Sequence, residues 1–297
     1  MNTETNWFIF TIIFTLLYGA VNFMYKLAAH NNCKSHRIIN ISALTISFLS
    51  LLIILLSKSE FINFKNILLF ALVNSVFFGL GSIVKIQSLK YIPSSFAFPV
   101  TKLNAVFLII YALFLFDEKP TFYQWTGILI SLSMLAYISL SIKNDTLKTK
   151  ADKKQIIGFL FALLAAFSTS ISMLTGKYAS TEVPKINYIF ISYFLVFIYT
   201  TIINKLFYKV SEEETKISKK KTIFFGVIIG FLNLAGYYLV LSAFETGPLS
   251  LIQGISSNSF IIPVILSVLF LNEKFRLKNA VVIILSIISI LLIKLEF

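Results

Sequence analysis

Long apolar runs separated by short polar breaks repeat along the whole chain. A membrane span needs about 20 mostly apolar residues to cross about 30 Å of hydrocarbon. By that measure spans are predicted at 7–29, 38–57, 66–89, 95–116 and 122–142, and again at 156–178, 186–207, 222–244, 249–271 and 278–294. The runs are continuously apolar, without a period of two, so they read as helices rather than barrel strands. The longest polar breaks, KNDTLKTKADKK at 143–154 and KVSEEETKISKKK at 209–221, are too charged to enter lipid. The opening MNTETNWFIF has no basic leader and no small-residue cleavage site, so the first run reads as a retained span.

The apolar pattern is written twice. A shift of 155 residues lays Pro93 on Pro248, Ser95 on Ser250, Glu118 on Glu273 and Lys119 on Lys274 without a gap. Earlier in each half a shift of 151 lays Lys26 on Lys177 and Ala28 on Ala179. The expected organisation is a five-helix repeat at 7–142, a charged linker at 143–155 and a second five-helix repeat at 156–294. An odd number of spans per repeat forces the copies into opposite orientation. Such inverted repeats are common in secondary transporters, whose site lies between the repeats near the bilayer midplane.

Composition agrees with a bilayer as solvent. The chain has 297 residues, 57% of them hydrophobic and only 13% charged, with a mean hydropathy of +0.86. A soluble domain carries about 25% charged residues. The net charge of +13 is almost all lysine, with Arg37 and Arg276 the only arginines. The lysines fall mostly between apolar runs, where they meet lipid headgroups, and no soluble basic face is left for nucleic acid. Cys33, the single cysteine, rules out an intrachain disulfide, and with His30 and His36 it reads as part of a solvated link rather than a metal site. No nucleotide-binding loop of the GxxxxGK[ST] type appears, nor a cluster of His, Cys and carboxylates fit for hydrolysis. Neither a cofactor nor enzyme activity is therefore expected, and oligomeric state is left open.

Ionisable groups inside a span are costly and default to functional candidates. Lys102, Lys85 and Lys26 head the set, with Lys177 and Glu245 nearer the ends of their spans. Lys102 lies about 10 Å into its span at 1.5 Å per residue. Its repeat mate is Ser257, and that of Lys85 is Val240, so the charge is not duplicated. The three leading lysines lie toward one membrane side, which reads either as a collar reaching the headgroups or as a basic lining for an anionic or zwitterionic solute. Asn22, Tyr25, Asn104, Tyr237, Gln253 and Asn258 are the polar groups expected to complete a substrate site; Asn74, Gln87 and Asn233 belong to the same class. Interhelical hydrogen bonding is the competing use of each. Pro99 and Pro263 are expected to kink their spans. Glu118 and Glu273, in register, are expected to stabilise turns.

Two helix–turn–helix units, 93–141 and 248–293, carry a family resemblance. Each has a proline-led entry, an apolar helix, an acidic-basic turn (Asp117-Glu118-Lys119; Asn272-Glu273-Lys274) and a second apolar helix. They resemble the ten-helix EamA-type members of the drug/metabolite transporter superfamily, over nearly the whole chain. The resemblance implies an all-α basket of helices around a central cavity, with helices 5 and 10 peripheral. Family members often have Gly-Glu at the turn, so Asp117 and Asn272 depart from the pattern. Small multidrug members use a glutamate in their first helix for cations and protons, and span 1 has no acid here. The expected function is secondary transport of a small metabolite, an amino acid or another anionic or zwitterionic solute, by alternating access, as a multi-pass protein of a bacterial inner membrane. The rival is a non-transporting membrane protein, a lipid-handling enzyme or a partner subunit; a catalytic version would need paired carboxylates or histidines at one depth. Orientation is contested: loops after odd-numbered spans carry most of the Lys and Arg, which puts both termini outside, whereas the family is usually drawn with both inside.

Overall fold

A computed structural model describes all residues except 1–2, 32, 89–90, 93–99, 147–152, 208–215, 272–276 and 296–297. Its helices are α1 (Thr3–His30), α2 (Ser35–Ser57), α3 (Phe64–Ser88), α4 (Asn104–Leu115), α5 (Phe122–Thr146), α6 (Lys153–Glu182), α7 (Lys185–Phe207), α8 (Lys216–Thr246), α9a (Leu249–Ser256), α9b (Ile261–Leu271) and α10 (Leu277–Lys294). Among the described residues there is no strand. Seven stretches are long and apolar enough to span by themselves, and Asn104–Leu115 and Ala280–Lys294 are shorter apolar helices.

The distribution of side chains identifies the solvent. Leu56, Phe114 and Phe122 are 84%, 79% and 79% exposed, whereas serines and asparagines fill helix contacts: Asn74 accepts from Ser172 at 2.5 Å, and Asn258 donates to Ser131 at 2.9 Å. Large apolar groups outside with small polar groups inside is the arrangement hydrocarbon selects, because lipid gives Leu no reason to turn inward while small residues let helices approach.

Helix pairing preserves the repeat. The pairs are α3 with α6, α1 with α8, α2 with α7, α2 with α8, α3 with α7, and α5 with α10. Exchanging α1–α5 for α6–α10 turns α3–α6 into α8–α1 and α2–α8 into α7–α3, and leaves α2–α7 and α5–α10 unchanged. Self-paired elements straddle a two-fold axis, as an inverted repeat requires. The α5–α10 pair stands to one side, packed on α9a. There the Ser131 and Ser289 hydroxyls are bonded to each other, and Ser289 donates to the Gly127 carbonyl at 2.8 Å.

The fourth span of each repeat differs from expectation. Neither 95–116 nor 249–271 is one continuous helix. Lys102 and Leu103 form a turn before α4 starts at Asn104. In the second repeat the 3-10 turn Ser257–Phe260 separates α9a from α9b. Since Ser257 is the mate of Lys102, both spans break at equivalent positions. The second break has a readable cause. Pro263 has no N–H, and its ring displaces the carbonyl four residues earlier, that of Ser259. The serines ahead of it bond back to local carbonyls, Ser257 Oγ to Gly254 O at 2.8 Å and Ser256 Oγ to Gln253 O at 3.3 Å, competing with regular helix. The linker is also shorter than expected, because α5 continues to Thr146 and α6 begins at Lys153. Pro93, Pro99 and Glu273, with the turn and kink assigned to them, lie outside the described residues.

Lys294 Nζ sits 5.1 Å from the Phe8 ring centroid, bringing the start of α1 and the end of α10 to one face. On the other face Lys221 donates to Asn31 Oδ1 at 2.8 Å. The first is the terminal face and the second the opposite face. In a Cys33→Ser background, Phe8→Cys and Lys294→Cys should be joined efficiently by a short bifunctional thiol reagent; absence of the cross-link would place the two ends apart. Gly19 lets α1 approach the broken span: a Cβ there would lie 2.4 Å from Ile262 Cβ and 2.8 Å from the Ser259 carbonyl oxygen. Gly19→Val should therefore cost about 1–3 kcal/mol, read as a fall of several degrees in the melting temperature in detergent.

Candidate functional site

Two elements fix the depth of the site. Trp7 lies at the terminal face, where Gly247 between α8 and α9a packs on its indole. Tyr18 follows eleven residues later on α1, ~16 Å along the helix axis. Ser259 follows Leu249 by ten residues, ~15 Å from the same face. Lys102 joins them: its Nζ donates to Ser259 Oγ at 3.2 Å and stands 4.1 Å from the centroid of the Tyr18 ring. The ammonium is therefore near mid-membrane, where the two broken spans meet α1. Its described partners are a hydroxyl and an aromatic face, and no described carboxylate reaches it.

Asn104 starts α4 beside this turn and is anchored on α6, donating to Met173 Sδ at 3.6 Å. Lys85, half-buried on α3, lies within electrostatic range of Lys102. Lys26 is nearer the opposite face; its Nζ donates to Ser267 Oγ of α9b at 2.8 Å, and Ser267 donates to the Pro263 carbonyl at 2.6 Å. Lys26 and Lys102 thus both engage the ninth span, at different depths.

On the terminal side of Lys102 the interior is aromatic. The Tyr188 and Tyr237 hydroxyls are 3.2 Å apart, the Tyr193 ring meets Tyr237 edge-on at 5.7 Å, Phe78 meets Tyr193 at 5.9 Å, and Phe14 stacks on Tyr18 at 5.5 Å. Four helices, α1, α3, α7 and α8, contribute rings. The Tyr25 hydroxyl meets Ser42 of α2. Asn22, Gln87 and Asn233 are half-buried on α1, α3 and α8.

The polar residues of the ninth span divide into two sides. Gln253 and Ser256 are linked, Ser256 Oγ lying 3.4 Å from Gln253 Oε1, and continue at the same spacing to Ser259 beside Lys102. Gln253 is 2% exposed, and its Nε2 donates to no group among the described residues. Asn258 is turned away toward α5, donating to Ser131 Oγ and, at 3.2 Å, to the Gly254 carbonyl. His36 lines a separate open cleft between α2, α3 and α7 with Ile39, Ile83 and Asn204.

Glu118 acts between repeats. Asp117 is left-handed, with φ 50°, and Glu118 N–H bonds to the Ala112 carbonyl at 3.3 Å. The left-handed position explains the glycine usual there in the family, and Asp and Asn are the side chains that best tolerate it. The turn aims the Glu118 carboxylate at the start of α9a, where it accepts from Leu249 N–H at 2.5 Å, Ser250 N–H at 2.9 Å and Ser250 Oγ at 2.5 Å. Lys177 donates to the carbonyls of Phe244 and, at 3.1 Å, Gly247. Glu245 pairs with Lys185.

Tyr18, Tyr188, Tyr193 and Ser259 were not singled out by sequence. Tyr18 carries a weak signal, seven residues before Tyr25 and so on the same helix face. The run Ser256-Ser257-Asn258-Ser259 ahead of Pro263 is the stronger one.

Comparison with known proteins agrees with this architecture. The EamA-like transporter family model matches residues 5–140 and again 156–295. A protein described as an uncharacterized transporter from Archaeoglobus fulgidus is 26% identical over 218 residues, 72% of each chain. A solved crystal structure superimposes with a TM-score of 0.78 over 97% of each chain at 13% identity, a likeness of fold. With both repeats matched in order along nearly the whole sequence, the chain belongs to the EamA-like transporter family and is an integral, multi-pass membrane transporter.

Proposed function

We propose that the protein is a secondary carrier that moves a small anionic or zwitterionic metabolite by alternating access, with Lys102 as the anchor for the negative group. The observation that carries this reading is the Lys102 ammonium at mid-depth, held by Ser259 and the Tyr18 face at the point where both fourth spans break. A cation kept from lipid and from described carboxylates gains most from an anion brought by the solute, since little water competes there. Lys85 adds positive potential, and Gln253 Nε2 offers a donor that no described group engages. The neighbouring tyrosines suit an apolar or ring-bearing remainder. The two-fold exchange of helix pairs supplies two equivalent packings for opening to either face.

Reconstituted liposomes and a panel of carboxylate- and phosphate-bearing metabolites test it. Lys102→Met keeps the side-chain length and removes the charge, and should raise KM or weaken binding about tenfold or more, the worth of a charged hydrogen bond. Lys26→Met, at a shallower level, should have a milder effect at equal membrane expression. Unchanged kinetics in Lys102→Met would overturn the assignment.

Two further substitutions separate a binding residue from a structural one. Gln253→Leu removes a buried donor that has no partner among the described residues, so the melting temperature should hold or rise while solute binding weakens. Asn258→Leu breaks the bonds to Ser131 and Gly254 and should cost about 1–3 kcal/mol in thermal stability. Equal destabilisation by both would assign Gln253 to packing.

A further inference from the structure

The corner between α8 and α9a is gripped from four other elements. Its C-terminal side, the carbonyls of Phe244 and Gly247, receives the Lys177 ammonium from α6. Its N-terminal side, the amides of Leu249 and Ser250, receives the Glu118 carboxylate from the turn after α4. Trp7 of α1 lies against Gly247 so closely that a Cβ there would be 2.6 Å from its Cβ, and Lys185 of α7 holds Glu245. A cation on helix-end carbonyls and an anion on helix-start amides each complement the local dipole. The two charges also lie within electrostatic range of each other, and Lys177 stands 5.7 Å from the Phe116 ring at the end of α4.

Every one of these contacts is at the terminal face, and Glu118 and Lys177 tie the first repeat's fourth span to the second repeat's first, third and fourth spans. We propose that Glu118 and Lys177 form a charged latch that closes the terminal face, and that this pair must let go of the α8–α9a corner for the carrier to open there. The inference rests on the alternating-access reading. It goes beyond a turn-stabilising role, because the groups that donate to Glu118, on Leu249 and Ser250, belong to the other repeat rather than to Glu118's own turn. The repeat supports it: Lys26, the mate of Lys177, reaches the ninth span through Ser267, and Lys177 stands beside the Phe116 ring at the end of α4, so each first span brings a lysine near the other repeat's fourth span, at opposite faces. Opening at the terminal face separates those same elements, and a carboxylate with three donors cannot follow both.

The test uses the full-length chain with Cys33→Ser and spin labels at Lys119→Cys and Thr246→Cys, two exposed positions flanking the latch. With the latch closed the labels are near, and their spectrum is broadened by spin–spin coupling. Glu118→Gln keeps the shape and removes the charge, and Lys177→Met does the same for the cation. Each should sharpen the spectrum, lowering the closed-to-open ratio about tenfold. Glu118→Asp, which keeps the charge but is one methylene shorter, should fall between. The readout needs no solute, so it stands or fails separately from the Lys102 transport assay. Unchanged broadening in monodisperse Glu118→Gln and Lys177→Met would overturn the latch. A lowered melting temperature with the label distance unchanged would also overturn it, reducing Glu118 to a helix cap. If Glu118→Gln does not fold, Lys177→Met and Ser250→Ala carry the test.

Discussion

In hydrocarbon a backbone amide or carbonyl without a partner costs several kcal/mol, because no water replaces it. The rest of this structure depends on that constraint. Most of the chain meets it with unbroken helix. Where α9a gives way to a 3-10 turn, the broken backbone is enclosed by α1, α5 and α9b and is supplied with serine and asparagine side chains. Irregular backbone at membrane depth is tolerated only where protein or a polar cavity surrounds it. The break and the polar interior are therefore one feature: the segment that abandons α-helix carries Ser259, continues the line of Gln253 and Ser256 on α9a, and meets Lys102 there.

The same constraint explains the use of charge. Charges at the helix ends and the charge at mid-depth follow two rules. Glu118 sits at a helix start, where amides point outward unpaired, and Lys177 sits at a helix end, where carbonyls do. Both act on backbone groups rather than on each other's side chains. Lys102 is different, since its described partners are a hydroxyl and an aromatic face rather than helix-end backbone groups. Like-charged Lys85 within range makes the region positive overall, a cost that a soluble core would avoid and that a binding site for an anion recovers.

Much of this was legible in the sequence. The spans and the five-by-two repeat follow from apolar run length and register, which depend on the chain alone. Lys102 stood out because charge inside a span is rare. The aromatic group did not stand out. Tyr188, Tyr193 and Tyr237 come from α7 and α8, and only helix packing shows that their rings meet. Asn258 and Gln253 looked equivalent in sequence, five residues apart. Their surroundings diverge because the 3-10 turn rotates Asn258 toward Ser131, and a local change of helical period is invisible to a pattern that assumes 3.6 residues per turn. The apparent departure from the family at Asp117 is better understood through the backbone: what that position requires is a left-handed φ, and aspartate meets it.

The contact between Lys294 and Phe8 has a consequence for chain order. Ends that meet at one face can be joined by a short peptide without disturbing the helices between them, and a break could then be opened in the charged stretch 143–155 between the repeats. A circularly permuted chain of that kind would place the second repeat first, with its new ends across the membrane from the old ones. Packing of the halves would be the same, since every pair named above joins helices by position rather than by order of synthesis. Which repeat is translated first is thus a matter of biosynthetic history, and the assembled fold carries no memory of it.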